Sequence, residues 1–339
     1  MKHRLFPLIS IVIALAAASV LAQDITGGGS LLRDITGGAA LIFRAPKNPS
    51  VHLAGGQTPG GGRIKGRTPK PPVRKEDQII ARANAARSAP RPRYAEAEEQ
   101  YQLAAQIAPD DARAHAGLGN VYVDQGKFAD AVAAYQQAIK VKPDYAGAYL
   151  PLAFSLARLN RFPESIEVYQ KTLKFDASSP EVHNNLSFAY NHTGRFQEAV
   201  EASQQAIKLL GEVGEAYKLG FQERNELRSY AYKNLGNAYS GLNKYDEAAN
   251  ALRKAAEIEP KNASAHFNLG LTLYTAGRYS EAIESYKEVI KLRPQLGQAY
   301  FNLAIAYVAI NDKPAAMVQY QTLKGIDAEM AKQLYDSIK

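Results

Sequence analysis

A chain of 339 residues with 41 Lys+Arg against 33 Asp+Glu carries a formal charge of +8, and its lack of cysteine excludes disulfides, thiolate metal sites and cysteine nucleophiles. The charge is uneven. Residues 23–93 hold 13 basic side chains against 4 acidic ones, whereas residues 94–339 hold 26 against 29, so the basicity belongs to the N-terminal segment and the remainder is slightly acidic.

Residues 1–22 begin with Lys2 and Arg4, continue as an apolar run and end in "ASVLAQ", where Val20 and Ala22 suit cleavage before Gln23. This is the pattern of a secretory signal peptide. An uncleaved anchor is the alternative, because about 18 apolar residues just reach across a bilayer; Pro7 and the alanine-rich end favour removal. The expectation is export to a bacterial periplasm or exterior, with no membrane span left after cleavage. No cysteine follows the run, which excludes lipidation there.

Next comes a near-duplication, "LAQDITGGGS" then "LLRDITGGAA", aligning Asp24 with Asp34, Ile25 with Ile35 and Thr26 with Thr36. Short apolar runs broken by Gly-Gly suit a small hairpin, but no chemistry demands this decapeptide. The stretch 44–75, with "GGQTPGGGRIKGRTPKPPVRK", is too rich in Gly, Pro and charge to bury a core. Residues 23–75 therefore read as a basic, largely disordered segment, of which 44–75 is able to make weak contact with an anionic surface or polymer. Phe43 is its one nearby aromatic, so it offers no stacking platform and no specific nucleic-acid site. "GGRIKGRT" has the glycine spacing of a phosphate loop, but Arg67 replaces the lysine and Pro69, Pro71 and Pro72 forbid the helix that must follow.

From residue 76 to 339 the apolar pattern is helical and repeats. Pro109 and Pro143 are 34 residues apart, as are Pro260 and Pro294, and a 15-residue insertion separates the two pairs. Units start near 112, 146, 180, 229, 263 and 297, with a degenerate one from 78. Position 8 is always small (Gly119, Ala153, Ser187, Gly236, Gly270, Ala304), and so is position 20 (Ala131, Ser165, Ala199, Ala248, Ala282, Ala316). Position 7 is always leucine, and position 11 is tyrosine or leucine throughout, Tyr122 to Tyr307. Small residues let two antiparallel helices approach, while large ones fill the space between units.

This alternation resembles the tetratricopeptide repeat, with its small residues at positions 8, 20 and 27 and proline at 32. The resemblance spans roughly residues 78–330 and implies an all-α fold, a right-handed superhelical α-solenoid of helix-turn-helix repeats. In such a fold stability comes from stacking, and the ends need polar caps. The helix predicted at 328–339, after Asp327 as N-cap, presents Lys332, Gln333, Asp336 and Lys339 to water; the unit from 78 is a worn N-terminal cap. The insertion, about 214–228, is expected to lengthen the next first helix through "FQERNELRSYAYKNLGNAY", either as a hinge or as a tolerated surface loop.

Enzyme signatures are mostly absent: there is no paired-histidine zinc helix and no nucleophile elbow. His115, His183 and His266 share position 4, one or more repeats apart, and read as packing residues, with no metal or cofactor implied. Position 6 carries Asn185, Asn234, Asn268 and Asn302, but Gly117 and Pro151 in the first two complete units. A carboxamide both donates to and accepts from an extended backbone, each bond adding about 0.5–1.5 kcal/mol. The ladder resembles the one lining the helical-repeat arm of the O-linked N-acetylglucosamine transferases; that resemblance implies holding a peptide main chain without catalysis. Lys233, Asn237 and Asn268 also match three positions of the two-carboxylate clamp of chaperone-binding members. Gln298 and Asn302 stand where that clamp has two cations, which argues against a chaperone-tail site.

The function expected from the sequence is thus a non-catalytic module binding a peptide or protein segment on the concave face through Asn185, Asn234, Asn268, Asn302, Lys233 and Asn237. Two alternatives remain open: a cell-envelope assembly scaffold docking by its convex face or insertion, and an enzyme or accessory subunit acting on cell-wall polymer.

Overall fold

A computed structural model describes residues 74–212 and 220–339. The signal sequence, the duplicated decapeptide and nearly all of the Gly/Pro-rich segment lie outside the described residues. Within them the fold is entirely helical, with fifteen α-helices and no strand.

The first compact segment, described over 74–177, holds α1 (Lys75–Arg87), α2 (Tyr94–Ile107), α3 (Ala112–Asp124), α4 (Phe128–Val141), α5 (Tyr149–Arg158, entered through a 3-10 turn) and α6 (Phe162–Thr172). The second, Ser178–Lys339, holds α7 (Pro180–His192), α8 (Phe196–Glu212), α9 (Phe221–Gly241), α10 (Tyr245–Ile258), α11 (Ala263–Thr275), α12 (Tyr279–Leu292), α13 (Gly297–Ala309), α14 (Lys313–Ile326) and α15 (Ala328–Ile338). In each segment successive helices pair into antiparallel hairpins, and each second helix also packs on the first helix of the following hairpin. In the second segment the first helices also lie against one another, α7 on α9, α9 on α11 and α11 on α13, and α15 covers α13.

The repeat pattern explains this packing residue by residue. Every position-20 side chain is fully buried at the crossing of its hairpin. Opposite it, a Cβ added to Gly119 would come within 2.6 Å of the Tyr135 ring, and one added to Gly270 within 2.6 Å of Tyr286. The absent side chain is what lets the ring enter. Tyr135 and Tyr286 stand at position 24, a position shared by Tyr101, Tyr169, Leu252 and Tyr320.

The turn inside each complete hairpin is equally regular. Its fifteenth residue has a positive φ in all six: Gly126, Asn160, Gly194, Asn243, Gly277 and Asn311. The next amide donates back to the eleventh residue, as Lys127 N does to Tyr122 O at 2.8 Å and Arg278 N to Leu273 O at 2.8 Å. That is a Schellman closure, which needs a residue tolerant of the left-handed region. No atom lies within 4 Å of a Cβ added to Gly277, so Gly277→Val meets no clash with a neighbour and suffers only the strain of the left-handed backbone. It is expected to cost about 1–2 kcal/mol in urea unfolding, whereas Gly277→Asn keeps most of the stability.

Position 4 acts as a tie between hairpins. Nε2 of His115 lies 3.0 Å from Pro109 O and Nε2 of His266 lies 3.1 Å from Pro260 O, each ring nitrogen donating. The Tyr149 and Tyr300 hydroxyls donate in the same way to Pro143 O and Pro294 O. Because proline ends the preceding helix, its carbonyl is an orphan acceptor that this side chain satisfies.

α9 is 21 residues long, against 13 in α7, α11 and α13, so the insertion does extend that first helix by about two turns. α7 and α8 both pack on α9 across it. At the C-terminal end, Asp327 accepts from Met330 N at 2.9 Å to start α15. There Leu334 and Ile338 are buried, while Lys332, Gln333, Asp336 and Lys339 face water.

Candidate functional site

The six predicted site residues all lie on first helices of the second segment: Asn185 on α7, Lys233, Asn234 and Asn237 on α9, Asn268 on α11 and Asn302 on α13. Adjacent first helices bring three of them together with a fourth residue. Lys233 and Asn237 are one turn apart on α9, and Ser264 and Asn268 are one turn apart on α11. Asn268 Nδ2 donates to Asn237 Oδ1 at 2.9 Å, and Lys233 Nζ donates to Ser264 Oγ at 3.4 Å. The result is a two-rung polar quartet.

Its lower rung is accessible and its upper rung is not. Asn237 and Asn268 are half-buried, whereas Lys233 is 7 % exposed with its ammonium 4.7 Å above the Tyr230 ring. The Asn237–Asn268 bond fixes both amide planes and does not consume the Asn237 NH2 or the Asn268 oxygen. One donor and one acceptor side by side match the two polar groups of a peptide unit.

The other asparagines of the ladder are buried, and two of them are engaged within the fold. Asn234 is 1 % exposed and donates to Asn184 O at 3.2 Å. Asn302 is 6 % exposed, accepts from Gln298 Nε2 at 3.0 Å and lies beside the buried Tyr286 phenol. Asn185 is 8 % exposed, and its Nδ2 is buried without a hydrogen-bond partner.

Next to the quartet stands an aromatic wall that the sequence did not single out. Phe188 and His192, one turn apart on α7, have ring centroids 4.4 Å apart, and Phe188 lies 6.4 Å from Tyr230. Burial, helped by the nearby Lys233 charge, pushes His192 down to about 4, so its ring is neutral at pH 7. The spacing of Phe188 and His192 on one helix face was the available signal; their alignment with Tyr230 depends on how α7 meets α9.

At the N-terminal end of α7, half-buried Glu181 is pushed up to about 8, by burial first and then by Glu223 on α9. A carboxyl raised in the folded state holds its proton more tightly there than in the unfolded chain. Its contribution to stability is therefore intact below about 4.5 and is lost as pH rises toward about 8. Glu181→Gln is expected to match the parent in thermal melts at pH 5 and to melt higher than the parent at pH 8.5. Among the described residues, no group of three or more His, Cys, Asp or Glu is placed to hold a metal ion, and no helix is long and apolar enough to cross a membrane.

Comparison with known families decides what the scaffold is. One tetratricopeptide repeat model matches residues 116–180, 155–213 and 233–297, and a second matches 273–336, together more than half of the chain. The chain is a tetratricopeptide repeat protein. Several solved structures are similar to it. A tetratricopeptide repeat protein from Parabacteroides merdae is 14 % identical over 78 % of this chain and 98 % of its own, with a TM-score of 0.56. PilF of Pseudomonas aeruginosa is 20 % identical over 68 % and 99 %, with a TM-score of 0.53. Cut9, in the Cut9–Hcn1 hetero-tetramer of the APC/C, is 15 % identical over 78 % and 54 %, with a TM-score of 0.54. At these identities the likeness is one of fold. No curated protein sequence matches the chain. The tetratricopeptide repeat is a protein–protein interaction module, and that is the class of work this repeat protein's architecture serves.

Proposed function

We propose that this tetratricopeptide repeat protein is a non-catalytic module that holds an extended segment of a partner protein against the first helices of Ser178–Lys339, their concave face. The observation that carries this reading is the Asn237–Asn268 pair, which presents a fixed donor and acceptor on a half-buried surface. Lys233 adds a positive charge at one end of the quartet, and the Phe188–His192–Tyr230 wall gives an adjoining apolar surface for a side chain. Asn185, Asn234 and Asn302 line the same face more deeply, and their role is to shape it as well as to meet the ligand. The affinity expected of such a surface is about micromolar, near 8 kcal/mol.

We further propose that the protein works outside the cytoplasm, delivered by the signal sequence of residues 1–22, and that the basic stretch 44–75 tethers it weakly to an anionic surface or polymer. Both readings rest on composition and charge.

The test compares partners recovered from cell-envelope extract by the parent and by Asn237→Ala/Asn268→Ala, after circular dichroism shows equal helicity. This pair is chosen because both residues are half-buried, so truncation spares the core. Loss of specific partners only from the variant is the expected result. An unchanged partner list would reject the groove and favour the outer face or the insertion, where Phe221 at the start of α9 is 76 % exposed.

A further inference from the structure

The joint between the hairpin α7–α8 and the hairpin begun by α9 is built unlike the others. In five of the other six units the position-24 residue is tyrosine, and in the sixth it is Leu252. At one joint such a ring keys a hairpin to the next: Tyr101 occupies the notch at Gly117, where an added Cβ would come within 2.1 Å of it. On α8 the residue at this position is Ser203. Its hydroxyl, fully buried, is 2.5 Å from the Ser187 hydroxyl of its own hairpin, and Ser187 Oγ also donates to Ala199 O at 2.9 Å. A serine is too short to key the next hairpin, and this is the joint that carries the insertion.

Here the Phe196 ring of α8 lies at Gly241 of α9, where an added Cβ would come within 2.5 Å of it, and carboxamides join α7 to α9. Asn184 Nδ2 donates to Leu227 O at 3.0 Å, and Asn191 Nδ2 donates to Asn234 O at 3.0 Å. The two donors are seven residues apart on α7 and the two acceptors seven apart on α9, so the rungs repeat at two helical turns with the same register. Asn234 Nδ2 returns a bond to Asn184 O at 3.2 Å. Asn184 Oδ1 and Asn191 Oδ1 are buried without a hydrogen-bond partner, a cost that leucines at these sites would avoid. Directional bonds made at such a cost specify one register where shape alone does not.

We propose that Asn184, Asn191 and Asn234 form a register-setting zip that locks α9 to α7 and clamps the insertion-borne turns 221–228 onto the fold. Leu227, the carbonyl partner of the first rung, lies in those turns. Asn184 and Asn191 are then positioning residues: they set where α9 carries Lys233 and Asn237 without belonging to the ladder. The zip is a property of the free protein and stands whether or not the groove binds a peptide.

Hydrogen–deuterium exchange of the full chain, read by mass spectrometry, tests it with Asn184→Leu, Asn191→Leu and Ser203→Ala. Each asparagine variant is expected to speed exchange across 221–234 by about tenfold while α11 to α13 keep the parent rate. Ser203→Ala, which touches the joint but not the zip, is expected to leave 221–234 within about twofold of the parent. Should Asn184→Leu not fold, Asn191→Leu, at the half-buried end of the joint, decides alone. Parent-like exchange over 221–234 in the folded asparagine variants would overturn the proposal, as would an equal acceleration in Ser203→Ala.

Discussion

Tyr286→Ala is expected to be the most damaging single substitution in Ser178–Lys339, lowering stability by about 3–5 kcal/mol. The side chain is 1 % exposed. Its ring fills the notch opposite Gly270, meets Phe267 edge-on at a centroid distance of 6.1 Å, and carries a hydroxyl beside Asn302. Burial raises the phenol well above its ordinary pKa, so it stays neutral at any working pH. Alanine removes the ring that joins α11, α12 and α13, and the surrounding backbone cannot close the space because Gly270 offers no side chain to fill it. Tyr286→Phe separates the two contributions, keeping the packing and losing only the polar contact of the hydroxyl, about 1 kcal/mol. Urea unfolding followed by circular dichroism is the measurement. Because repeats couple mainly to their neighbours, the loss should appear as earlier melting of the hairpins around α12 before the rest.

Gly236→Leu is expected to cost about 3 kcal/mol for the opposite reason, excess volume where two helices touch. Even the first carbon of a side chain there would lie 2.5 Å from Leu252 Cγ and 3.1 Å from Ala248 O. The leucine can turn aside, but the carbonyl belongs to the α10 backbone, so the helices must part. The smaller Gly236→Ala should be partly rescued by Leu252→Ala, because shortening the facing side chain relieves the closer of the two contacts. Thermal melts of the four members of that cycle would show coupling; purely additive losses would mean that the crossing yields elsewhere.

These two sites show why the fold was legible in the sequence. Position 8 must be small and position 7 large because α-helical hairpins cannot close otherwise, and the requirement recurs every 34 residues, so six weak signals reinforce one another. The insertion was legible as a break in that period, and its helical extension as a run without Gly or Pro from Phe221 to Leu235. The turn code was open to the same reading, since Gly126, Asn160, Gly194, Asn243, Gly277 and Asn311 share a column.

The site was legible only in part, for a physical reason. Sequence register tells which residues share a helix face, but not what the next hairpin places against them. Position 6 reads as one ladder, yet its members meet different neighbours: Asn268 a carboxamide of the adjacent first helix, Asn302 Gln298 on its own helix, Asn234 a main-chain carbonyl. Asn184 and Asn191, at positions without a repeated residue type, gave no signal, because their partners are backbone carbonyls that every sequence has. The Phe188–His192–Tyr230 wall likewise exists only where α7 meets α9.

The most direct test of the central claim is selection from a random-peptide display library on the full-length chain, followed by affinity measurement of the retained peptides against the parent and against Asn237→Ala/Asn268→Ala. Peptides held at about micromolar Kd by the parent and at least about tenfold more weakly by the variant are the predicted result. A photo-crosslinker in those peptides should then label α9 and α11. Retained peptides that bind both proteins equally, or that label the second helices instead, would contradict the account and place recognition on another face of the repeats.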